Sequence, residues 1–303
     1  MLKDMERFLL QLKMQLSSNS YHLFIIKEEK LIQINNKLII KLDMRMNKFF
    51  YQSRILLFLI LFKSFLISNT LKCTICLSKI ESEHSIDVWG NAFHSHHESE
   101  GLFCHSCSRI ISQKITNGGY IYSDGRQLCS LCQASVIQND TESYKALNDV
   151  ILQLSDVGID ITPENISISI VNLNQLKKHI GILTDNKLKG YTQTHKNSKS
   201  SFKYEIFLLN GLPELEFKAT LAHELLHVWL NDNSIILNNK IEEGFCNLGN
   251  YLIYTKSNTK YAKIHLTSME NNNDEIYGDG YRYMKDLLIK HGWSQIIIML
   301  SSL

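Results

Sequence analysis

The pattern of apolar and polar positions divides the chain into three stretches. Residues 1 to about 45 mix polar and apolar segments rich in Lys, Ile, Leu and Asn, with no turn chemistry or motif. The run Met44-Arg45-Met46-Asn47-Lys48 then sets positive charge before an unbroken apolar run at 55–62, which resumes after Lys63 and Ser64 at Phe65-Leu66-Ile67. A positive flank before an apolar core of about 8–13 residues is the pattern of a signal-peptide core. It is short of the roughly 20 apolar residues that a spanning helix needs. Residues 1–45 therefore read as an uncertain tail or a mistaken start, and 46–70 as a signal peptide or signal-anchor. A buried helix is the competing reading, and no A-x-A cleavage site is evident. Past residue 140 the pattern is that of a globular domain. Tyr144, Leu147, Val150, Ile151 and Leu154 recur at helical spacing within 141–157. Ile166-Ser167-Ile168-Ser169-Ile170 alternates with period two and reads as a strand. Two more strands are expected at 190–195 and 203–209, joined by a polar turn at 196–200. Gly211-Leu212-Pro213 breaks the chain before a long helix from about 214 to 230. Further helices are expected at 239–254 and 281–290, the last stopping at Gly292. Strands first and helices after predict an α+β fold.

Composition adds little to this picture. A chain of 303 residues is about two domains' worth. Only 2 prolines and 14 glycines exclude a collagen-like or linker-dominated chain. Lys+Arg 32 against Asp+Glu 30 gives +2, with no basic stripe, so nucleic acid is not an expected partner.

The chemistry is carried by His223-Glu224-Leu225-Leu226-His227. Residues four apart share a helix face, so His223 and His227 can point two imidazoles at one metal ion. Glu224 sits beside that face and can take a proton from metal-activated water. With 12 histidines in the chain, this motif arises by chance on the order of 0.02 times per chain. Leu221, Ala222, Leu225, Leu226, Val228 and Trp229 make the helix apolar nearly all round. Buried His, Glu and His need partners, and a metal supplies them. Glu242 and Glu243 on the next expected helix are both available as a third ligand.

A second group of ligand-type residues precedes the domain. Six of the 7 cysteines form three C-x-x-C pairs, at Cys73 and Cys76, Cys104 and Cys107, and Cys129 and Cys132, with His94, His96, His97 and His105 among them. A disulfide framework would leave the histidines unexplained, so metal is the better reading. A module of about 65 residues with little apolar content needs such staples to stay folded.

Two resemblances sharpen these readings. The segment around the motif, followed by Glu242-Glu243-Gly244-Phe245, looks like the gluzincin metallopeptidases. That resemblance implies Glu243 as the third zinc ligand, with 15 residues between it and His227. It also implies an edge strand over the metal that pairs with extended substrate, at 190–195 or 203–209. An oxyanion donor is implied too, with Tyr277, Tyr281 and His265 as candidates and Tyr281 taken as the catalytic one. Cys246 reads as a small core residue.

A wider resemblance spans roughly residues 70–300. Asn210-Gly211-Leu212-Pro213, the zinc motif, Ile241-Glu242-Glu243-Gly244 and Tyr277-Gly278-Asp279-Gly280-Tyr281-Arg282 occur in this order in the plant organ-size regulator peptidases, which are ubiquitin-activated and carry LIM-type zinc modules. The resemblance implies a LIM-like double zinc module at 71–138 before a gluzincin-like domain at 141–303. Its first site is Cys73, Cys76, His94 and His97, and its second is Cys104, Cys107, Cys129 and Cys132. His97 stands where most such modules have cysteine, and His96 or His105 could substitute. No ubiquitin-interacting helix is visible in the first 70 residues, so that activation is not carried over.

The expected protein is thus a zinc metallopeptidase acting on protein or peptide substrates. It would hold one catalytic and two structural Zn2+, and its LIM-like module is a candidate surface for a protein partner. The alternative is a LIM-like adaptor with an idle peptidase-like domain. Aminopeptidase action would need a G-x-M-E-N-type anchor, and none precedes the zinc helix. Any membrane contact would run through the N-terminal apolar segment alone. That segment leads us to expect a secreted or membrane-anchored chain, with a cytoplasmic one as the alternative.

Overall fold

A computed structural model describes residues 71–81, 83–99, 102–181, 188–196 and 202–302. All of them fall within one structural unit, residues 70–303. The expected tail at 1–45, the apolar segment at 46–70 and most of the turn at 196–200 lie outside the described residues.

The cysteine-rich part comes first. Strand β1 (His84–Ile86) pairs antiparallel with β2 (Ala92–His94). After a short helix α1 (Gln113–Thr116), β3 (Gly119–Ile121) pairs antiparallel with β4 (Gln127–Cys129), and α2 (Ser130–Gln133) follows. Its apolar clusters are small. One gathers Cys73, Ile80, Ala92, Phe93 and Ile110, and the other Cys104, Cys107, Leu128, Cys129 and Cys132. Cores of this size do not hold a fold alone. Two of its turns repeat one hydrogen-bond pattern. Cys73 N donates to Ser78 O at 2.9 Å and Leu77 N to Cys73 O at 3.0 Å; Cys104 N donates to Arg109 O at 2.9 Å and Ser108 N to Cys104 O at 2.8 Å. Leu77 (φ 64°) and Ser108 (φ 56°) are left-handed, an unfavourable state for side-chain-bearing residues that each turn maintains.

The rest of the chain is a mixed α+β domain. Helix α3 (Asp140–Ser155) starts at Asn139, whose side chain accepts from Glu142 N at 3.0 Å. Strand β5 (Ile166–Val171) and helix α4 (Leu173–Ile180) lead to the antiparallel strands β6 (Gly190–Lys196) and β7 (Phe202–Leu209). β5 pairs parallel with β7, so the order is β5-β7-β6 and β6 is an edge. Helix α5 (Glu214–Asp232) buries Leu221, Ala222, Leu225, Leu226, Val228, Trp229 and Leu230, as its all-round apolarity requires. Helices α6 (Asn239–Thr255) and α7 (Lys260–Glu270), a wide turn at Glu275–Asp279 and α8 (Gly280–Ser301) complete the chain. The expected strands and the α+β class are present.

The structure adds to that outline in two ways. Gly292 (φ 77°, ψ 167°) leaves helical geometry, but the chain resumes the helix to Ser301, so it is a kink and not a stop. Helices α4 and α7 lie outside the expected elements. Helix α4 is short but carries Leu173, Leu176 and Ile180 at helical spacing behind a capping box at Asn172 and Gln175, whereas α7 buries only Ala262. Helices α6 and α8 approach to backbone contact. A Cβ on Gly244 would stand 2.3 Å from Gly280 O, so this crossing requires glycine. The two parts of the unit join at residues 210–214. Arg126 Nη1 donates to Asn210 O at 2.7 Å, and Glu214 N donates to Ser135 O at 2.7 Å.

Candidate metal centre

One helical turn apart on α5, His223 and His227 bring their Nε2 atoms to 3.3 Å. From α6, Glu243 Oε2 lies 3.3 Å from His223 Nε2 and 3.9 Å from His227 Nε2. That oxygen is buried and makes no hydrogen bond. Zinc–ligand bonds of about 2.0–2.1 Å at tetrahedral angles set neighbouring donors roughly 3.3–3.4 Å apart. Two of the three separations match this spacing and that between His227 and Glu243 is longer; the three side chains could hold one metal ion. Burial alone would lower the His227 pKa, yet the Cys246, Glu242 and Glu224 side chains around it raise it. Burial pushes the Glu243 carboxyl up, but His223 and His227 beside it hold it below its ordinary value.

Around this cluster each neighbour has a definite place. Glu242 Oε1 lies 3.2 Å from His227 Nδ1, on the ring edge away from Glu243. Glu224 is 5% exposed, and its Oε2 accepts from Thr192 Oγ1 of β6 at 2.7 Å. A Cβ on Gly190 would meet Glu224 Oε1 at 2.5 Å and Thr220 Cγ2 at 2.8 Å, so a side chain there would displace the Glu224 carboxylate or the Thr220 methyl. Burial pushes the Cys246 thiol up to about 11, as for a core residue. A cavity of about 820 Å³ opens along this face, lined by β6 residues together with His223, Glu224, His227 and Glu243. Of the two strands expected over the site, β6 is the edge and lines the cleft, whereas β7 is central.

The candidate oxyanion donors part company. Tyr277 is exposed and hydrogen-bonds Glu243 through its side chain. Tyr281 lines the same cleft but is 1% exposed, and its hydroxyl donates to Glu270 Oε1 at 3.1 Å. His265 stacks on Tyr254, with ring centroids 4.9 Å apart, and burial lowers its pKa to about 4.

The cysteine-rich part contains two further clusters. Cys73, Cys76, His94 and His97 converge, as do Cys104, Cys107, Cys129 and Cys132, with all four of the latter buried. Zinc–sulfur bonds of about 2.3 Å imply roughly 3.8 Å between sulfurs and about 3.5 Å between sulfur and nitrogen. Cys107 Sγ and Cys129 Sγ are 3.8 Å apart, and Cys76 Sγ and His94 Nδ1 are 3.5 Å apart. All seven cysteines are free thiols. Among the described residues neither His96 nor His105 enters a cluster; His105 Nδ1 instead accepts from Gln127 N at 3.0 Å. The Cys/His clusters could bind zinc.

Sequence reasoning passed over Thr192, Asn250 and Glu216. Asn250 Nδ2 lies 3.4 Å from His223 Nδ1. The one available signal was a glutamate on the apolar face of the zinc-motif helix.

The fold and site define a mixed α+β domain with a two-histidine, one-carboxylate cluster beside a cysteine-rich module. Residues 162–255 match the family model described as DA1-like: Protein DA1. Protein DA1-related 2 of Arabidopsis thaliana is 27% identical over 196 residues, covering 52% of this chain and 35% of that protein. LIM domain-containing protein HDR3 of Oryza sativa subsp. japonica is 23% identical over 301 residues, covering 74% of this chain and 59% of that protein. Protein DA1-related 1 of Arabidopsis thaliana is 28% identical over 119 residues, 29% of this chain and 22% of its own length. These matches support likeness to the DA1-like family, and the chain spans from about a fifth to three fifths of the length of these relatives. No solved structure matches it.

These comparisons overturn the expected secreted or membrane-anchored location. The chain matches DA1-related and LIM domain-containing proteins. Among the described residues no helix is long and apolar enough to cross a membrane.

Proposed function

We propose that this chain is a zinc-dependent peptidase of protein substrates, with a gluzincin-like domain at 141–303 that follows a LIM-like module at 71–138. The observation that carries the reading is the convergence of two imidazoles and a carboxylate, beside a buried glutamate and facing an open cleft. His223, His227 and Glu243 would hold the catalytic ion, and the two cysteine-rich clusters would hold structural ions, three in all. Zinc, when bound there, supplies Lewis acidity toward a carbonyl and toward water. Glu224 takes the proton from the attacking water and passes it to the leaving amine. Thr192 orients the Glu224 carboxylate through its hydroxyl. Glu242 fixes the ring orientation of His227 from the opposite nitrogen. The outer edge of β6 offers backbone groups to an extended peptide, with little demand on its side chains. Both Tyr277 and Tyr281 line the cleft; Tyr277 neighbours Glu243 while the Tyr281 hydroxyl is engaged by Glu270, which favours Tyr277 as the oxyanion donor.

Glu224→Gln should leave zinc content unchanged and reduce hydrolysis of a denatured protein substrate by about 10²–10⁴-fold. Equal hydrolysis by both forms rules the mechanism out. Absence of hydrolysis by a fully metal-loaded wild-type chain favours an adaptor role through the LIM-like module.

A further inference from the structure

Glu216, in the first turn of α5, has no part in the proposed chemistry and is 1% exposed. A carboxylate so placed must be matched by donors and positive charge. Its Oε2 accepts from Ser106 Oγ at 2.6 Å and from the Tyr261 hydroxyl at 2.8 Å, while its Oε1 pairs with Lys189 Nζ. Burial pushes this carboxyl up, but the Lys189 ammonium brings it below its ordinary value, so it stays charged. The partners come from separate parts of the unit. Ser106 lies between Cys104 and Cys107, inside the four-cysteine cluster. Tyr261 belongs to α7. Lys189 immediately precedes Gly190, the residue pressed against Glu224. Lys189 is also held by its main chain, since its carbonyl accepts from Leu209 N at 2.9 Å.

We propose that Glu216 is a positioning residue: it ties the start of β6 to the four-cysteine turn, so that the placement of Gly190 and Thr192 against Glu224 depends on that cluster. Two anchors hold Lys189, one through the ladder and one through Glu216. Without the carboxylate charge, the Lys189 ammonium and the Ser106 and Tyr261 hydroxyls lose their shared acceptor. The strand start can then drift from Glu224, and a displacement of about 1 Å near the reacting groups is enough to slow turnover strongly. The kinetic part of this inference rests on the peptidase reading, but the positional part does not.

The test uses the full chain and the variant Glu216→Gln, which keeps the side chain's size and removes its charge. Zinc content should stay at the wild-type level. Hydrogen exchange should rise together at 104–107 and 188–192 while α6 and α8 keep theirs. On a denatured protein substrate, kcat should fall about tenfold or more with KM within about twofold. Ser106→Ala removes a single hydroxyl and serves if Glu216→Gln does not fold; it should give the same paired rise in exchange, smaller in size. Unchanged exchange at 188–192 in the folded variants overturns the inference. A rise spread evenly over all helices overturns it too, because it marks general loss of stability. A wild-type chain without hydrolase activity removes the peptidase reading, and the exchange pattern then decides the positional claim alone.

Discussion

The four-cysteine cluster and the His-His-Glu cluster offer one ion two different environments. Cys104, Cys107, Cys129 and Cys132 are all buried, and they supply four donors. His223, His227 and Glu243 supply three donors, each only partly buried, and they face a cleft. Around the cysteines there is little other core; around the histidines there is the main hydrophobic core of the domain. A closed site in a poor core suits an ion that holds the fold. An open site on a rich core suits an ion that meets substrate.

The largest effect expected from this contrast is on stability. Cys107→Ser should lower zinc by one equivalent per chain and unfold the cysteine-rich part, because structural zinc contributes on the order of 10 kcal/mol to small modules. Hydrogen exchange across 102–137 together with elemental analysis checks this. A full zinc count with unaltered exchange would erase the contrast. His227→Ala should also remove one equivalent and bring hydrolysis to background. Its cost in unfolding free energy should stay within about 2 kcal/mol, because the core around α5 persists; a chemical denaturation curve reads it. Glu242→Gln should weaken metal retention against a chelator by about 10–100-fold and leave the fold alone.

The smallest effect concerns pH. His265 is held near 4 by burial, below the ordinary imidazole value of about 6.5. Between those values the unfolded chain binds a proton that the folded chain refuses. Its contribution is therefore complete above about 6.5 and is lost as pH falls toward 4, at up to about 1.4 kcal/mol per pH unit. His265→Gln should flatten the stability profile across that window by this amount. An unchanged profile would show that the ring is protonated in place.

What the sequence made legible was local. His223 and His227 share a face because of their spacing alone, and each C-x-x-C pair closes its own turn. The strands at 166, 190 and 203 announced themselves by alternation or flanking turns. Glu242 and Glu243 were not separable, since adjacent helical positions differ by about 100° and either could face α5. The crossing of α5 and α6 separates them, and that crossing is not local. Tyr281 looked as suitable as Tyr277, but its hydroxyl, on α8, donates to Glu270 at the end of α7. Glu216 gave only the bare signal of a charge among apolar neighbours, because Ser106 lies 110 residues away.

Gly190 has one more consequence. Side chains of a strand alternate, so a slip of β6 by two residues along β7 restores the facing but puts Thr192 where Gly190 stood. Neither its β-carbon nor its hydroxyl fits beside the Glu224 carboxylate, where even a methyl group would come within 2.5 Å of oxygen. The missing side chain thus favours the observed pairing, Gly190 opposite Leu208, over the slip that would press a threonine onto the Glu224 carboxylate.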